Sequence, residues 1–216
     1  NWLHRTKSSE VFFSSGVFLV EGPSERIFYS ALAHALKKDV DRLNISILSV
    51  EGVGFEPYVR VCSSLGIPYT LRTDNDVFKI AKTERWRAAG VQRLTSIASR
   101  YVEDDNLEGL TKEYAEELIW KDSREPPVES EKAMKTLASS LAEHGLFLSE
   151  YADLEDDLVH GPLFKELSGH FGRDSPEETR GSMQKRKAET MYDFIASEPG
   201  LCVLRNDRID RKSTRL

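Results

Sequence analysis

The first third of the chain alternates between two hydrophobic periods. Residues 16–20 form a continuous apolar run typical of a buried strand, and residues 24–38 continue with apolar positions at helical spacing. A second strand and helix are predicted at residues 45–50 and 55–65, and a third strand at residues 69–73. Strand, helix, strand, helix and strand at this spacing predict a parallel sheet with right-handed crossovers.

The pattern changes after residue 77. Residues 79–101, 110–120 and 130–144 are charged and amphipathic, and we interpret them as helices in which Trp86 and Trp120 anchor a core. A fourth short strand is predicted at residues 146–148, before a late helix that contains two lysines and a run of apolar residues. The chain is long enough for one domain core plus an insertion.

These patterns divide the chain into four segments. We expect the first part of an α/β domain, a helical insertion, the remainder of the domain and a basic tail, at residues 8–77, 78–145, 146–200 and 201–216. Because the chain starts with Asn1 rather than Met, we also expect it to be part of a longer protein.

Composition narrows the class of protein. No apolar run approaches the roughly 20 residues of a membrane span, so we expect no membrane association. Cys62 and Cys202 are too few and too far apart for a disulfide framework or a zinc site, which favours a cytoplasmic protein. A net charge of -6 disfavours a protein that coats nucleic acid electrostatically. It does not exclude an enzyme that engages nucleic acid through metal ions bound to carboxylates.

Carboxylates follow the predicted strands at the edge where ligands of parallel sheets gather. Glu21 ends a run of four apolar residues, where a carboxylate is costly unless it is paired or binds a metal. Asp74 and Asp76 follow the third strand, and alternation puts both side chains on one side of an extended chain. There they could hold one or two hard cations, or they could form an Asx turn.

Three further acids have two interpretations each. Pro23 and Glu25 make a good helix start, since proline suits the first helical position and a carboxylate suits the positive helix end. Glu25 could instead be a metal ligand. Asp153 and Glu155 follow the fourth strand, where they could complete a metal-binding set or simply begin an acidic helix.

With these acids on a βαβαβ frame, the sequence resembles a Toprim domain, whose signature is a glutamate after the first strand and DxD after the third. SEVFFSSGVFLVEGPSE resembles the start of the catalytic region of OLD-family (overcoming lysogenisation defect) nucleases. LGIPYTLRTDND, YADLEDDL and KRKAETMYDFI follow in that family's order, so the resemblance covers about residues 8–195. It implies an α/β Toprim (Rossmann-like) fold, a parallel βαβ sheet with a helical insertion.

The resemblance also implies a site and a reaction. Six carboxylates would bind two Mg²⁺ or Mn²⁺ ions: Glu21, Glu25, Asp74, Asp76, Asp153 and Glu155. Lys187 would be the catalytic lysine, with Lys185 as the alternative, acting beside Glu21 and Asp74. The expected activity is metal-dependent nicking or cleavage of DNA, because two hard cations can activate water and neutralise a phosphodiester. Glu51 departs from the family pattern, which has a small residue there.

Partners follow from the same resemblance. DNA is the expected substrate, and OLD proteins carry an ATPase and dimerisation region ahead of the Toprim part. The chain has no G-x-x-x-x-G-K-[ST] phosphate loop, so we expect that region elsewhere in the full-length protein. Family analogy further suggests a helicase encoded alongside and a role in phage defence.

Two other functions fit parts of the sequence. DNDVF matches the D-x-D-x-[TV] motif of haloacid dehalogenase phosphatases, with Asp74 as nucleophile. That motif usually closes the first strand, however, and Glu21 would have no role. A non-catalytic Toprim module for assembly or DNA binding is the second alternative, although retention of every acid disfavours it.

Overall fold

Four parallel strands form the central sheet of the protein, which the computed structural model describes over residues 8–205. The strands are β1 (Gly16–Val20), β2 (Ile45–Ser49), β3 (Tyr69–Thr73) and β7 (Leu146–Leu148), in the spatial order β2-β1-β3-β7. The parallel βαβ fold predicted from the sequence is confirmed. The carboxyl ends of β1, β3 and β7 lie side by side, which brings the residues that follow them to one edge.

Helices cover both faces of this sheet, and their bounds follow the hydrophobic pattern closely in the first third of the chain. The nine α-helices of the described residues are α1 (Pro23–Ala35), α2 (Glu56–Leu65), α3 (Ala89–Tyr101), α4 (Asp105–Glu113), α5 (Val128–Glu143), α6 (Leu154–Val159), α7 (Phe164–Phe171), α8 (Pro176–Met183) and α9 (Lys187–Ala196). Short 3-10 helices lie at Ser8–Phe13, Gln184–Arg186 and Leu201–Leu204.

The alternation of side chains along β1 produces two hydrophobic cores. Val17 and Leu19 point to one face, where they pack in a cluster with residues of α2, α3 and α5. Phe18 and Val20 point to the other face and pack with residues of α1, α6, α7 and α9. All of β1 is buried, which explains why its sequence is a continuous apolar run rather than an alternating one.

A second sheet lies in the segment predicted as a helical insertion, residues 78–145. Its strands are antiparallel in the order β4-β5-β6: β4 (Val77–Lys79), β5 (Arg85–Ala88) and β6 (Ile119–Lys121). The helix predicted at residues 79–101 is therefore wrong before Ala89, and the helix predicted at residues 110–120 is wrong after Glu113. Strands of three or four residues are too short for their period to be recognised.

The tryptophans of this segment pack across strands rather than along helices. Trp86 of β5 is directly opposite Trp120 of β6, and Trp120 is buried in the core that α3 and α5 share. Their predicted role as core anchors is confirmed, but through cross-strand pairing.

The basic tail predicted at residues 201–216 is described only through Arg205, and residues 206–216 lie outside the described residues. Across the described chain, no helix has the length and apolar character that a membrane span requires. The division at residues 77 and 145 stays a prediction.

Gly90 allows the start of α3 to press against the loop that follows β3. A Cβ atom at this position would overlap the carbonyl oxygen of Asp74 and lie 2.9 Å from Cδ2 of Leu148. The Gly90 N–H donates a hydrogen bond of 3.2 Å to the Asp76 carbonyl. The positions of both aspartates of the DxD motif therefore depend on the missing side chain.

Replacing this glycine should strain the loop. We expect Gly90→Ala to lower the free energy of unfolding by about 1–3 kcal/mol, because added atoms in a packed contact force the backbone apart. The matched control is Gly109→Ala in α4, where nothing lies within 4 Å of the new Cβ. It should be neutral or stabilising by up to about 1 kcal/mol. Urea unfolding of both variants tests this, and equal stabilities would contradict it.

Candidate active site

Four of the six predicted carboxylates line one cavity at the carboxyl edge of the central sheet. The cavity has a volume of about 250 Å³, and its charged lining residues are Glu21, Glu25, Glu51, Asp74, Glu155 and Lys187. Asp76 and Asp153, the other two predicted ligands, lie beside it through shared basic partners described below. These carboxylates lie close together because β1, β3 and β7 end next to one another.

Arg72 lies behind the cavity and is fully buried on β3. Its guanidinium forms an ion pair with Glu25 of α1 and another with Asp157 of α6, at 3.3 Å from Nη2 to Oδ2. Nη2 also donates a 2.5 Å hydrogen bond to Oγ of Ser149, and Nη1 lies 3.5 Å from Oδ1 of Asp74. One buried cation thus ties together residues from α1, α6 and the ends of β3 and β7.

Glu25 serves as a helix start and as a partner of Arg72 at once. Oε2 accepts a 2.8 Å hydrogen bond from the N–H of Gly22, which precedes α1, and Oε1 pairs with Arg72. The side chain is only 6% exposed. Burial raises the pKa of Glu25 overall, although Arg72 and the Gly22 N–H act in the opposite direction. The helix-start interpretation therefore fits the geometry, and the ligand interpretation stays a prediction.

Arg93 of α3 bridges the acids that follow the first and third strands. Its Nη1 lies 2.8 Å from Oε1 of Glu21, and its Nη2 lies 2.8 Å from Oδ2 of Asp76. Oε1 of Glu21 also accepts hydrogen bonds from the Thr73 hydroxyl and, at 3.0 Å, from the Asp74 backbone N–H. Glu21 is thus paired, as expected for a carboxylate at the end of a buried strand.

Asp153 directly precedes α6 and accepts hydrogen bonds from several donors. It is the N-cap of that helix, accepting a 2.9 Å hydrogen bond from the Asp156 N–H. Its Oδ2 also accepts from Arg180 at 3.1 Å, from Gln184 at 2.9 Å and from Lys187 at 3.3 Å. The acidic helix-start interpretation holds for Asp153, and these contacts place its carboxylate against the lysine at the cavity.

Lys187 and Lys185 occupy different environments. Nζ of Lys187 lies 2.9 Å from Oε2 of Glu155, which is almost fully buried and also accepts a hydrogen bond from Ser24 at 3.3 Å. Lys185 lies in the preceding 3-10 helix and is exposed. Lys187 is therefore the one of the two that lines the cavity, and its catalytic role stays a prediction.

Asp74 is a buried carboxyl group in an acidic environment. Burial raises the pKa of Asp74, and the neighbouring Glu25 and Glu21 add to the increase, which Arg72 and Lys187 oppose. The resulting pKa is about 8. A carboxyl group with this pKa lies where added positive charge is favourable.

Glu51, which departs from the family pattern, lies at the rim. It is exposed, and its backbone has a left-handed φ of 55°. The next residue, Gly52, has a φ of 127° and donates a 2.9 Å hydrogen bond from its N–H to the Glu21 carbonyl. The turn at Glu51 and Gly52 therefore helps hold the backbone of Glu21.

The sequence patterns did not identify Arg72, Arg93, Ser149 or Asp157 as site residues. Arg72 left a signal, since a charged residue interrupts the apolar run of β3 and must find partners when buried. Arg93 left none, because an arginine on an amphipathic helix is usually a solvated one.

The donor set suits a hard divalent cation, since it is rich in carboxylates and has no thiolate or imidazole at the cavity. Within residues 8–205, however, no three such ligands are arranged around one point as a metal ion requires. The carboxylates instead contact Arg72, Arg93 and Lys187. The chemistry of the residues fits a metal, and binding one would require some of these ion pairs to rearrange.

The first part of the chain matches the model of a known domain family. Residues 12–76 match the model described as "Overcoming lysogenization defect protein-like, TOPRIM domain". Residues 12–76 are thus similar to an OLD-like Toprim domain. The resemblance stated from the sequence is confirmed, and Asp74 follows the third strand, whereas the phosphatase motif usually closes the first strand.

Individual relatives agree with the Toprim assignment. Endonuclease GajA of Bacillus cereus (strain VD045) is 27% identical over 192 residues, which are 87% of this chain and 32% of that protein. An OLD nuclease of Thermus scotoductus (strain ATCC 700910 / SA-01) is 36% identical over 76 residues, 35% of this chain and 14% of that protein. The chain therefore spans a third or less of either relative.

A solved structure supports the fold around the Toprim domain. The C-terminal region of the Burkholderia pseudomallei OLD protein superposes with a TM-score of 0.52 at 22% identity. The match covers 88% of this chain and 84% of that one.

Removing the buried arginine should destabilise the Toprim domain strongly. We expect Arg72→Ala to lower the free energy of unfolding by about 3–5 kcal/mol, because it leaves buried carboxylates without their cation. The control is Arg100→Ala, which removes an arginine whose side chain is 53% exposed and which pairs with Glu56. It should cost no more than about 1 kcal/mol. Denaturant unfolding measures both, and equal losses would contradict the role given to Arg72.

Removing Arg93 should expose two carboxylates to added cations. Its guanidinium competes with a metal ion for Glu21 and Asp76, so we expect Arg93→Ala to bind Mn²⁺ more tightly than the wild type, by about threefold or more. Isothermal titration without DNA measures this. Lys112→Ala, which breaks an exposed ion pair with Glu108, should leave Mn²⁺ affinity unchanged. Weaker binding by Arg93→Ala would instead make Arg93 a support for the metal site.

Proposed function

We propose that this chain is the nuclease part of a larger OLD-type protein and nicks or cleaves DNA with two Mg²⁺ or Mn²⁺ ions. One observation carries the proposal: a single cavity is lined by Glu21, Asp74, Glu155 and Lys187, and residues 12–76 match an OLD-like Toprim domain. The printed names of two relatives, an endonuclease and a nuclease, support the same reaction class.

The six predicted carboxylates would hold the ions. When bound, divalent ions supply neutralisation of phosphodiester charge and a water of lowered pKa. Glu21 and Asp74 directly follow β1 and β3, the two inner strands of the sheet, which place them side by side. Glu25 and Glu155 approach from α1 and α6. Asp76 and Asp153 would act at the margins, since they lie beside the cavity and the other four acids line it.

Lys187 would act as a fixed cation and not as a base. Burial lowers the pKa of Lys187, but the carboxylates of Glu155 and Asp153 outweigh burial and raise it above its usual value. The amine therefore keeps its proton at neutral pH. A protonated lysine at the cavity can stabilise the negative charge that develops on the phosphate in the transition state.

The partners are proposed on the same basis. DNA is the proposed substrate, and the cytoplasm is the proposed site of action, as the two isolated cysteines suggest. The rest of a relative's length leaves room for the ATPase and dimerisation region that we propose for the full-length protein. A helicase encoded alongside and a role in phage defence are proposals from family analogy alone.

Nicking of supercoiled plasmid tests the activity. We expect the chain to nick plasmid with Mg²⁺ or Mn²⁺ and to stop when EDTA is added. Asp74→Asn and Lys187→Ala should lower the rate by about 100-fold or more, as loss of a group that stabilises transition-state charge does. Lys185→Ala is the matched control, because this lysine is exposed two positions away.

The results would separate the alternatives. Circular dichroism and thermal unfolding must first show that each variant folds. Equal nicking by the wild type and Asp74→Asn, or no nicking with either ion, would contradict the proposal and favour a non-catalytic Toprim module.

A further inference from the structure

The second sheet presents one face to solvent, which we call the outer face and define by Phe78, Arg85, Arg87, Ile119 and Lys121. Strand residues alternate between two sides, and those that alternate with these five include the two tryptophans and Ala88 of the core. All five residues of the outer face are exposed. Cross-strand pairing sets Phe78 beside Arg87, Arg87 beside Ile119, and Arg85 beside Lys121.

The outer face is positively charged although the protein is acidic. Residues 77–88 contain four basic side chains and one carboxylate, in a chain with a net charge of -6. That carboxylate, Glu84, pairs with Lys79. Within the described chain, Arg85, Arg87 and Lys121 have no carboxylate partner. The local charge therefore remains available to an anion.

Folding does not account for the position of these charges. Arg85 and Lys121 are directly opposite each other on neighbouring antiparallel strands. Like charges in that position destabilise a sheet, because their Cβ atoms are only about 5 Å apart. A polyanion lying across the outer face would turn this repulsion into attraction. Charge complementarity thus points to a ligand with closely spaced negative charges.

The apolar residues of the outer face narrow the class of ligand. Phe78 is 48% exposed and Ile119 is 38% exposed, on either side of Arg87. Exposed aromatic rings between basic side chains are typical of surfaces on which nucleic acid bases stack while phosphates meet the cations. An acidic protein that bound only through its charges would not need the exposed ring of Phe78.

The second sheet begins directly after the DxD motif of the candidate active site. β4 begins at Val77, directly after Asp76, and Ala88 pairs with Val77 just before α3. The strands of the second sheet have at most four residues, so the outer face extends about 10 Å from the DxD loop at about 3.3 Å per residue. A DNA strand at the cavity would reach it within a few nucleotides.

We propose that the outer face binds the DNA substrate next to the cleaved phosphodiester, with Arg85, Arg87 and Lys121 on phosphates and Phe78 against a base. This proposal rests on the proposed nuclease function, and it names the surface that holds the substrate. It also gives an acidic protein a local basic surface on which DNA could bind.

DNA binding tests the outer face directly. Fluorescence anisotropy with a labelled 30-base-pair duplex, in Ca²⁺ without Mg²⁺ or Mn²⁺, compares the wild type with the triple variant Arg85→Ala/Arg87→Ala/Lys121→Ala. We expect affinity to fall at least tenfold. The slope of log K against log salt should fall by about 2 to 3, since each lost phosphate contact contributes about 0.9. Phe78→Ala should weaken binding to a nicked or single-stranded oligonucleotide more than binding to the intact duplex.

The control has the same change of charge elsewhere. Arg100→Ala/Lys112→Ala/Lys135→Ala removes three exposed cations whose pairs lie on helices, and it should leave the affinity and the salt slope near the wild-type values. Equal losses in the two triple variants, or no loss in either, would overturn the proposal. So would a change in the mass of the particle in solution caused by the outer-face variant, which would assign the face to a second copy of the chain.

A small substrate separates this proposal from the nuclease proposal. Bis(p-nitrophenyl) phosphate with Mn²⁺ reports the reaction without a DNA strand. The outer-face variant should lose several times more activity on plasmid than on this diester. If the wild type hydrolyses neither substrate, the nuclease proposal fails, while the anisotropy comparison still decides whether the outer face binds DNA.

Discussion

A fully buried arginine is the constraint on which the rest of the structure depends. Arg72 lies in an inner strand, where an uncompensated charge would cost several kcal/mol or more. The fold is stable only if carboxylates reach it from other elements, and Glu25 and Asp157 do so from α1 and α6. Folding therefore draws acidic residues to the carboxyl edge of the sheet. The same demand that stabilises the Toprim domain assembles the acids of its candidate site.

The cavity is a site in which internal cations already meet the carboxylates. Arg93 and Lys187 lie against Glu21 and Glu155, so these cations offset part of the repulsion between the acids. Burial and the neighbouring acids still raise the pKa of Asp74 to about 8, against the effect of Arg72 and Lys187. A metal ion bound as proposed above would have to displace some of these resident cations from the carboxylates.

Features of the fold that depend on neighbouring residues in the sequence could be predicted, whereas features that depend on tertiary packing could not. The bounds of β1 and β3 match the predicted strands, and in β1 the signal is the continuous apolar run of a buried strand in a parallel sheet. Pro23 and Glu25 also predict the start of α1. The second sheet was missed because its strands are too short to show a period. The role of Arg93 was missed because only the packing of α3 against the DxD loop brings it to Glu21.

The DxD loop connects the two sheets, and this links substrate binding to the geometry of the site. Asp74 ends the central sheet and Val77 begins the second one, with Gly90 pressed against the loop between them. The second sheet therefore begins three positions after a carboxylate at the cavity. The close contact at Gly90 packs the loop between the two sheets against α3. Under the proposed binding of DNA to the outer face, this short connection would hold the strand near Asp74, and an in-line hydrolysis requires such positioning.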